Sequence, residues 1–307
     1  MTRFIIIRIL QSIIALIGIM VMVFFLVRLS GDPTELIKSP NSTKEQIEAV
    51  KIQLGLDKSY AEQFLIFIKD YSRGEFGKSF MQMRPVIEMI GEALPNTLKL
   101  GIPSFIIGMV LAFTLGILGA VRRDSIIDNT VKFLAILGQA LPGFWVAIIA
   151  VLVLSVHWQI FPAAGMDTPL HYVLPVGTMV FFMLPGMMRL VRSSMLDVLD
   201  SEYVKLARIK GLPERVVIWK HALRNALIAP LTTAGMIFAG IVGGAIITEN
   251  IFNWPGMGRL ALSSTFSRDF PVVQTITILI AIMVLGANLL VDIAYAYVDP
   301  QIRYEKS

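Results

Sequence analysis

The chain has 307 residues and a net charge of +5, yet only 16% of them are charged and 55% are hydrophobic, at a mean hydropathy of +0.71. Soluble domains carry about 25% charged and ~45–50% apolar residues, so this balance points to lipid and excludes a soluble enzyme. The basic residues sit in short loops between apolar runs, which removes a nucleic-acid partner, and the absence of cysteine removes disulfides and thiolate metal sites.

The first apolar run, Phe4 to Val27, follows Arg3 as a secretory leader would. It is too long for a leader core and lacks a small-x-small cleavage site, so it reads as a retained helix. Six segments are each long enough to cross a bilayer at ~20 residues per span: 5–28, 97–121, 130–156, 172–192, 227–248 and 272–298. An even number puts both termini on one side. The loop 122–132 holds Arg122, Arg123 and Lys132, and the stretch from Arg189 to Arg224 holds eight basic residues against four acidic ones. The positive-inside rule makes these loops and both ends cytoplasmic.

The segment Ser30–Asn96, with eight basic and ten acidic residues, is then external. Ser42-Thr43-x-x-Gln46 resembles a capping box, and Ile47, Val50 and Leu54 follow at helical spacing. Tyr60, Phe64 and Ile68 mark a second helix, and Pro85 is placed to open a third. The reading is an all-α polytopic membrane protein: an N-terminal span at 1–28, a small helical external domain at 29–96, and a five-helix core at 97–298. The core carries a cytoplasmic loop at 193–226 and an external loop at 249–271, and a cytoplasmic tail occupies 299–307.

Gly108, Ala112, Gly116 and Ala120 put small residues along one side of the second span, and Gly240 and Gly244 form a G-x-x-x-G in the fifth. Such stripes let helix backbones approach closely, either within the chain or at a dimer seam. Pro103, Pro142, Pro175 and Pro185 break or kink spans and serve as hinges in a transporter or as packed kinks in a static bundle.

Catalytic chemistry is hard to find. Arg8 lies close enough to a span end to snorkel, and Asp292, beside Asn288, calls for a local partner rather than a proton relay. His157, His171 and His221 have no i,i+4 partner for a metal. Gly74-Glu75-Phe76-Gly77-Lys78-Ser79 looks like a phosphate loop but has two residues between its glycines where four are needed. The 16 methionines are spread through apolar spans as packing residues. The chain shows no means of spending energy by itself.

One loop stands out. Ser201 can cap a helix through Arg208, Gly211 breaks it by tolerating left-handed φ, and Pro213 suits the first turn of a second helix. In the resulting elbow Val204, Leu206, Ala207 and Leu212 are available to fill a partner's groove, with Lys205, Arg208 and Lys210 at its rim. The same residues would also suit a plain surface loop facing anionic lipid.

The segment resembles the EAA loop of ABC-importer permeases, with Ala207 and Gly211 at its alanine and glycine. Tyr203-Val204-x-x-Ala207-Arg208-x-Lys210-Gly211-Leu212 and His221-Ala222-Leu223-Arg224-Asn225-Ala226 are similar to the dipeptide, oligopeptide and nickel branch. So are Gly31-Asp32-Pro33, Leu54-Gly55-Leu56-Asp57, Gly74-x-Phe76-Gly77-x-Ser79 and Pro142-x-Phe144-Trp145 ahead of the loop. Behind it follow the run Glu249 to Arg259, Val291-Asp292 and Asp299-Pro300-x-Ile302-Arg303. Lys205 and Leu206 depart from the general motif, as is usual in this branch.

The resemblance implies a type I ABC-importer permease of a bacterial inner membrane, forming half of the pathway beside a second related permease. Two ABC ATPase subunits, holding ATP and Mg, would dock on Tyr203–Pro213, and an external solute-binding protein would deliver cargo. The chain itself would hold no cofactor. Trp254 and Arg259 are residue types that anchor interfaces, so their loop is either a contact for that binding protein or a tight turn back into the membrane. Small peptides are the expected cargo, with nickel complexes or glutathione behind them. An ion-driven secondary transporter would need buried acids and inverted repeats, which the sequence does not display.

Overall fold

The computed structural model describes residues 2–29 and 57–298. The Ser42 capping box, the helix expected through Leu54, the Gly31-Asp32-Pro33 motif and the tail 299–307 lie outside the described residues. The helices run in the order α1 (Thr2–Leu29), α2 (Tyr60–Ser72), α3 (Val86–Val121), α4 (Ile126–Ala140) and α5 (Gly143–His157). They continue as α6 (Val173–Leu199), α7 (Glu202–Ile209), α8 (Glu214–Ala226), α9 (Ile228–Gly244), α10 (Ile246–Ile251), α11 (Met257–Phe266) and α12 (Phe270–Val298).

Among the described residues α1, α3, α6 and α12 are long and apolar enough to cross a membrane unbroken. The remaining two expected spans are bent pairs. The third is not one helix: α4 ends at Ala140, and α5 leaves Pro142 at 95° to it. Proline at position 142 has no N–H for the helix and forces the preceding residue out of the helical region, and Leu141 is accordingly extended, at ψ 128. The fifth, expected at 227–248, is α9 and α10 with a break at Ala245, and α9 leaves α8 of the preceding loop at 51°. The expected external loop 249–271 is mostly helical, holding α11.

Tyr60, Phe64 and Ile68 do lie on a helix. Ser59 caps α2 reciprocally with Glu62, and its aromatic face packs on α1 through Phe24 and Phe64, whose centroids are 5.1 Å apart. Tyr71 reaches Thr275 of α12 at 2.8 Å. Pro85 also opens a helix, but that helix is the second span itself, so a boundary at residue 96 cuts through α3. Pro95 and Pro103 are absorbed within it, as neighbouring helices allow in a membrane bundle. The segment that mimicked a phosphate loop is a turn whose Gly74 and Gly77 take φ +79 and +73. Its Ser79 hydroxyl donates to Asp269 and the Phe80 N–H donates to the same carboxylate at 2.9 Å, tying this turn to the start of α12.

α3 packs along α6 at the centre of the molecule. A Cβ on Gly108 would come within 2.8 Å of Met183 Sδ, and one on Gly116 within 2.8 Å of the Met188 carbonyl. The small stripe of α3 therefore serves packing inside the chain. A Cβ on Gly240 would meet nothing within 4 Å among the described residues.

Candidate functional site

The loop between α6 and α9 is an elbow of two short helices, α7 and α8. Ser201 stands at the N-cap of α7, but its hydroxyl turns back to the Val198 carbonyl at 2.5 Å and does not cap. At the far end Gly211 takes φ +74. Its N–H donates to Arg208 O at 2.9 Å and that of Leu212 to Ala207 O at 3.4 Å, the paired bonds of a Schellman stop. Pro213 then opens α8 from its N-cap position. Arg208 locks the corner: its guanidinium grips Glu214 at 2.7 and 3.2 Å and donates to Leu199 O at 3.4 Å. The pairing holds Glu214 below the usual carboxylate range and raises the pKa of Arg208. Asn225 of α8 donates to the Tyr203 hydroxyl at 2.9 Å, closing the elbow from its other side.

The division of faces differs from the sequence expectation. Val204, 0% exposed, and Ala207 are buried in this chain's own cluster with Met195, Leu199, Val217 and Ala222. They cannot fill a partner's groove, because α6 and α8 already cover them. Arg208 faces Glu214 instead of an open rim, and Lys205 pairs with Glu202 at 2.8 Å. The apolar surface left outward is Tyr203, Leu206, Leu212 and Ile209, the last 81% exposed and absent from the expected set. Its signal was present in the spacing, since Tyr203, Leu206 and Ile209 recur every three residues.

At the opposite end of the bundle Trp254 is 0% exposed, its indole N–H donating to Asn96 O at 2.8 Å and its ring meeting Tyr172 edge-on. An exposed anchor at this position is ruled out: the ring is a keystone joining α3 to the segment that precedes α6. Arg259 is half-buried and donates to Asn253 O at 3.2 Å, closing the same turn. Glu249 opens the run Glu249 to Arg259 noted in the sequence, which gave it no role of its own, and this turn buries it completely. Its carboxylate accepts from the Thr97 hydroxyl at 2.7 Å and the Arg259 N–H at 3.0 Å, and desolvation raises its pKa despite those bonds. Gly256 lies where a Cβ would collide with that carboxylate.

The local partner expected for Asp292 is Arg8, at 3.2 Å between α1 and α12. Among the described residues no group of three His, Cys, Asp or Glu could hold a metal ion.

A bundle of unbroken and bent spans, with a short packed elbow between the fourth and fifth, defines a polytopic membrane protein. Residues 112–304 match the family model described as "Binding-protein-dependent transport system inner membrane component", and residues 1–101 match its N-terminal companion, "Binding-prot-dependent transport system membrane comp, N-term". The chain belongs to this family of ABC-importer permeases and is a multi-pass inner-membrane protein. It is 37% identical over 316 residues to the oligopeptide transport system permease protein AppB of Bacillus subtilis, covering 99% of this chain and 100% of that one. It is 38% identical over 306 residues to the glutathione transport system permease protein GsiC of Escherichia coli K12, with the same coverage. Among solved structures, a subunit of the MetNI methionine ABC transporter matches with a TM-score of 0.59 at 18% identity, covering 69% of this chain and 97% of that one. An amino acid ABC transporter crystallised with histidines matches with a TM-score of 0.57 at 17% identity, covering 69% and 94%. Both show the shared fold.

Proposed function

We propose that this chain forms one half of the translocation pathway of an ATP-driven importer for di- or oligopeptides, with Tyr203–Pro213 as its ATPase contact. The observation that carries the reading is the elbow itself. One face of α7 is cemented to α6 through Val204, Ala207, Met195 and Leu199, while Tyr203, Leu206, Ile209 and Leu212 stay outward. Free energy from a motor reaches the spans only through a contact that stays stiff during the cycle, and a packed two-helix elbow meets that need where a loose linker does not.

In this reading both termini and the elbow are cytoplasmic, two ATPase subunits bind ATP and Mg beneath them, and a second related permease completes the pathway. A solute-binding protein delivers cargo at the far end, and lipid surrounds the rest. ATP closes the ATPase pair, α7 moves with it, and the spans rock outward; hydrolysis resets them. This subunit contributes no ATPase site. The similarity to oligopeptide and glutathione permeases supports peptides as the first cargo to test and glutathione as the second.

The test is uptake of a labelled tripeptide into proteoliposomes holding the permease pair, the ATPases and the binding protein. Uptake that needs ATP and survives an uncoupler is expected. Uptake that survives ATP depletion and collapses with the uncoupler would overturn the reading in favour of an ion-driven carrier.

A further inference from the structure

A cavity of about 850 Å³ opens between α5, α6, α9 and α10. The turn at Pro142 and the break at Ala245 both reach it. Pro142 and Gly143, at the 95° turn, form one wall, and Ile241 and Ile247, either side of the break at Ala245, form another. In a bilayer, interrupted helices persist where they are buried in protein or line a cavity, and transporters bind cargo at such interruptions. A seam between two permease subunits needs only continuous helices; this wall is made of two discontinuous ones.

Among the described residues the lining holds no ionisable side chain. Met179 and Met183 of α6 lie one helical turn apart and give it apolar surface, although both side chains are mostly packed in the core. Thr178 and Thr233 stand on opposing helices, each donating its hydroxyl to its own helix, at 2.8 and 3.1 Å. What they present inward is acceptor lone pairs, suited to amide N–H groups. The volume falls within the ~300–1,000 Å³ typical of small-ligand sites.

We infer that this cavity is the chain's own section of the solute path, and that it receives the uncharged middle of a small peptide: apolar side chains against the methionines, amide groups against the threonines. The inference rests on the peptide-import reading and adds the lining residues and the chemistry they select. Charged peptide termini find no partner in this cavity, so it passes cargo without trapping it.

Two glycines make the test clean. A Cβ added at Gly186 or Gly240, both on the lining, would meet nothing within 4 Å. Gly186→Phe and Gly240→Phe therefore start a bulky side chain into the cavity from positions where its first carbon is unobstructed. Gly177 is equally open and lies nine residues before Gly186 on α6, close to the opposite side of that helix at ~3.6 residues per turn. Gly177→Phe is the control. Uptake of labelled trialanine by the reconstituted complex should fall at least tenfold in both cavity variants, with the second permease still co-purifying and Gly177→Phe behaving as wild type.

Unchanged uptake in both cavity variants overturns the inference. Loss of the second permease from the purified complex overturns it too, because the cavity would then hold a partner helix. If the wild type takes up no peptide, the peptide reading has failed instead. Single-cysteine labelling then decides the cavity alone, since the chain contains no cysteine: Gly186→Cys must react with a charged thiol reagent in the assembled complex, and failure to react overturns a solute path.

Discussion

Asp128 is 0% exposed and receives the guanidinium of Arg192, with Nη2 to Oδ2 at 2.9 Å, so the start of α4 is clamped to α6 by a partly buried ion pair. Lys132 adds a contact at 2.8 Å and the Asp124 N–H another at 3.0 Å. Further along, Gly138 leaves no room for a Cβ against Pro185, so α4 is held to α6 at two levels. The same α6 ends in Met195 and Leu199, which pack under α7. The elbow and the helix that leads into the Pro142 turn thus share α6 as a common packing partner.

Asp128→Ala should destabilise the chain by about 1–3 kcal/mol, the usual cost of removing charge-assisted hydrogen bonds and leaving a partly buried partner unsatisfied. Thermal unfolding in detergent checks it. Asp128→Ala combined with Arg192→Met should recover much of the loss, since removing both charges removes the unpaired one; no recovery would mean that Asp128 acts through Lys132 instead.

Gly211→Ala places a side chain at φ +74, at a cost of about 1–2 kcal/mol for the left-handed conformation. Gly211→Pro goes further, because it fixes φ near −65° and removes the N–H that donates to Arg208 O at 2.9 Å. The proline variant should insert in the membrane normally yet lose the stimulation of ATP hydrolysis by loaded binding protein. Stimulated hydrolysis at the wild-type rate in vesicles would show that the stop at Gly211 does not couple the two.

Ile209→Asp and Val204→Asp should fail in different ways. Ile209 is exposed, so a carboxylate there leaves the melting temperature of the isolated chain within the range of ordinary surface changes, about ±0.5 kcal/mol, while ATPase co-purification is lost. Val204 has no exposed surface, and an unpaired carboxylate in its place should unfold the elbow itself. A pull-down beside a thermal melt of each variant separates the two cases.

Glu249 gives a pH dependence of known sign. Burial raises its pKa in the folded chain above the unfolded value, so the folded state binds the extra proton between the two values. Its contribution is therefore most favourable below the unfolded glutamate pKa and is lost as pH rises through the raised value. Melting temperatures of wild type and Glu249→Gln measured from pH 4 to 8 should diverge along that course, the wild type losing ground relative to the variant as pH rises. Parallel curves would place the carboxylate in a more solvated setting.

The long apolar runs of α1, α3, α6 and α12 were legible in the sequence because lipid demands sustained hydrophobicity, and hydropathy counts nothing else. Gly211 was legible for an equally local reason: a left-handed turn is written in one residue. Glu249 was not, since nothing in Thr248-Glu249-Asn250 shows that Thr97, about 150 positions away, will supply its hydrogen bond.

Composition, charge asymmetry and the order of short motifs therefore determined that the chain is a membrane permease with an elbow between its fourth and fifth spans. Which face of that elbow is free was decided only by tertiary packing. Val204 with Ala207 and Tyr203 with Leu206 and Ile209 are both apolar stripes on α7, and local sequence ranks neither. α6 and α8 cover the first and leave the second, just as Tyr172 and Asn96 enclose a Trp254 whose residue type alone suggested an exposed anchor. Burial belongs to the partners that fold onto a residue, and those partners lie far away along the chain.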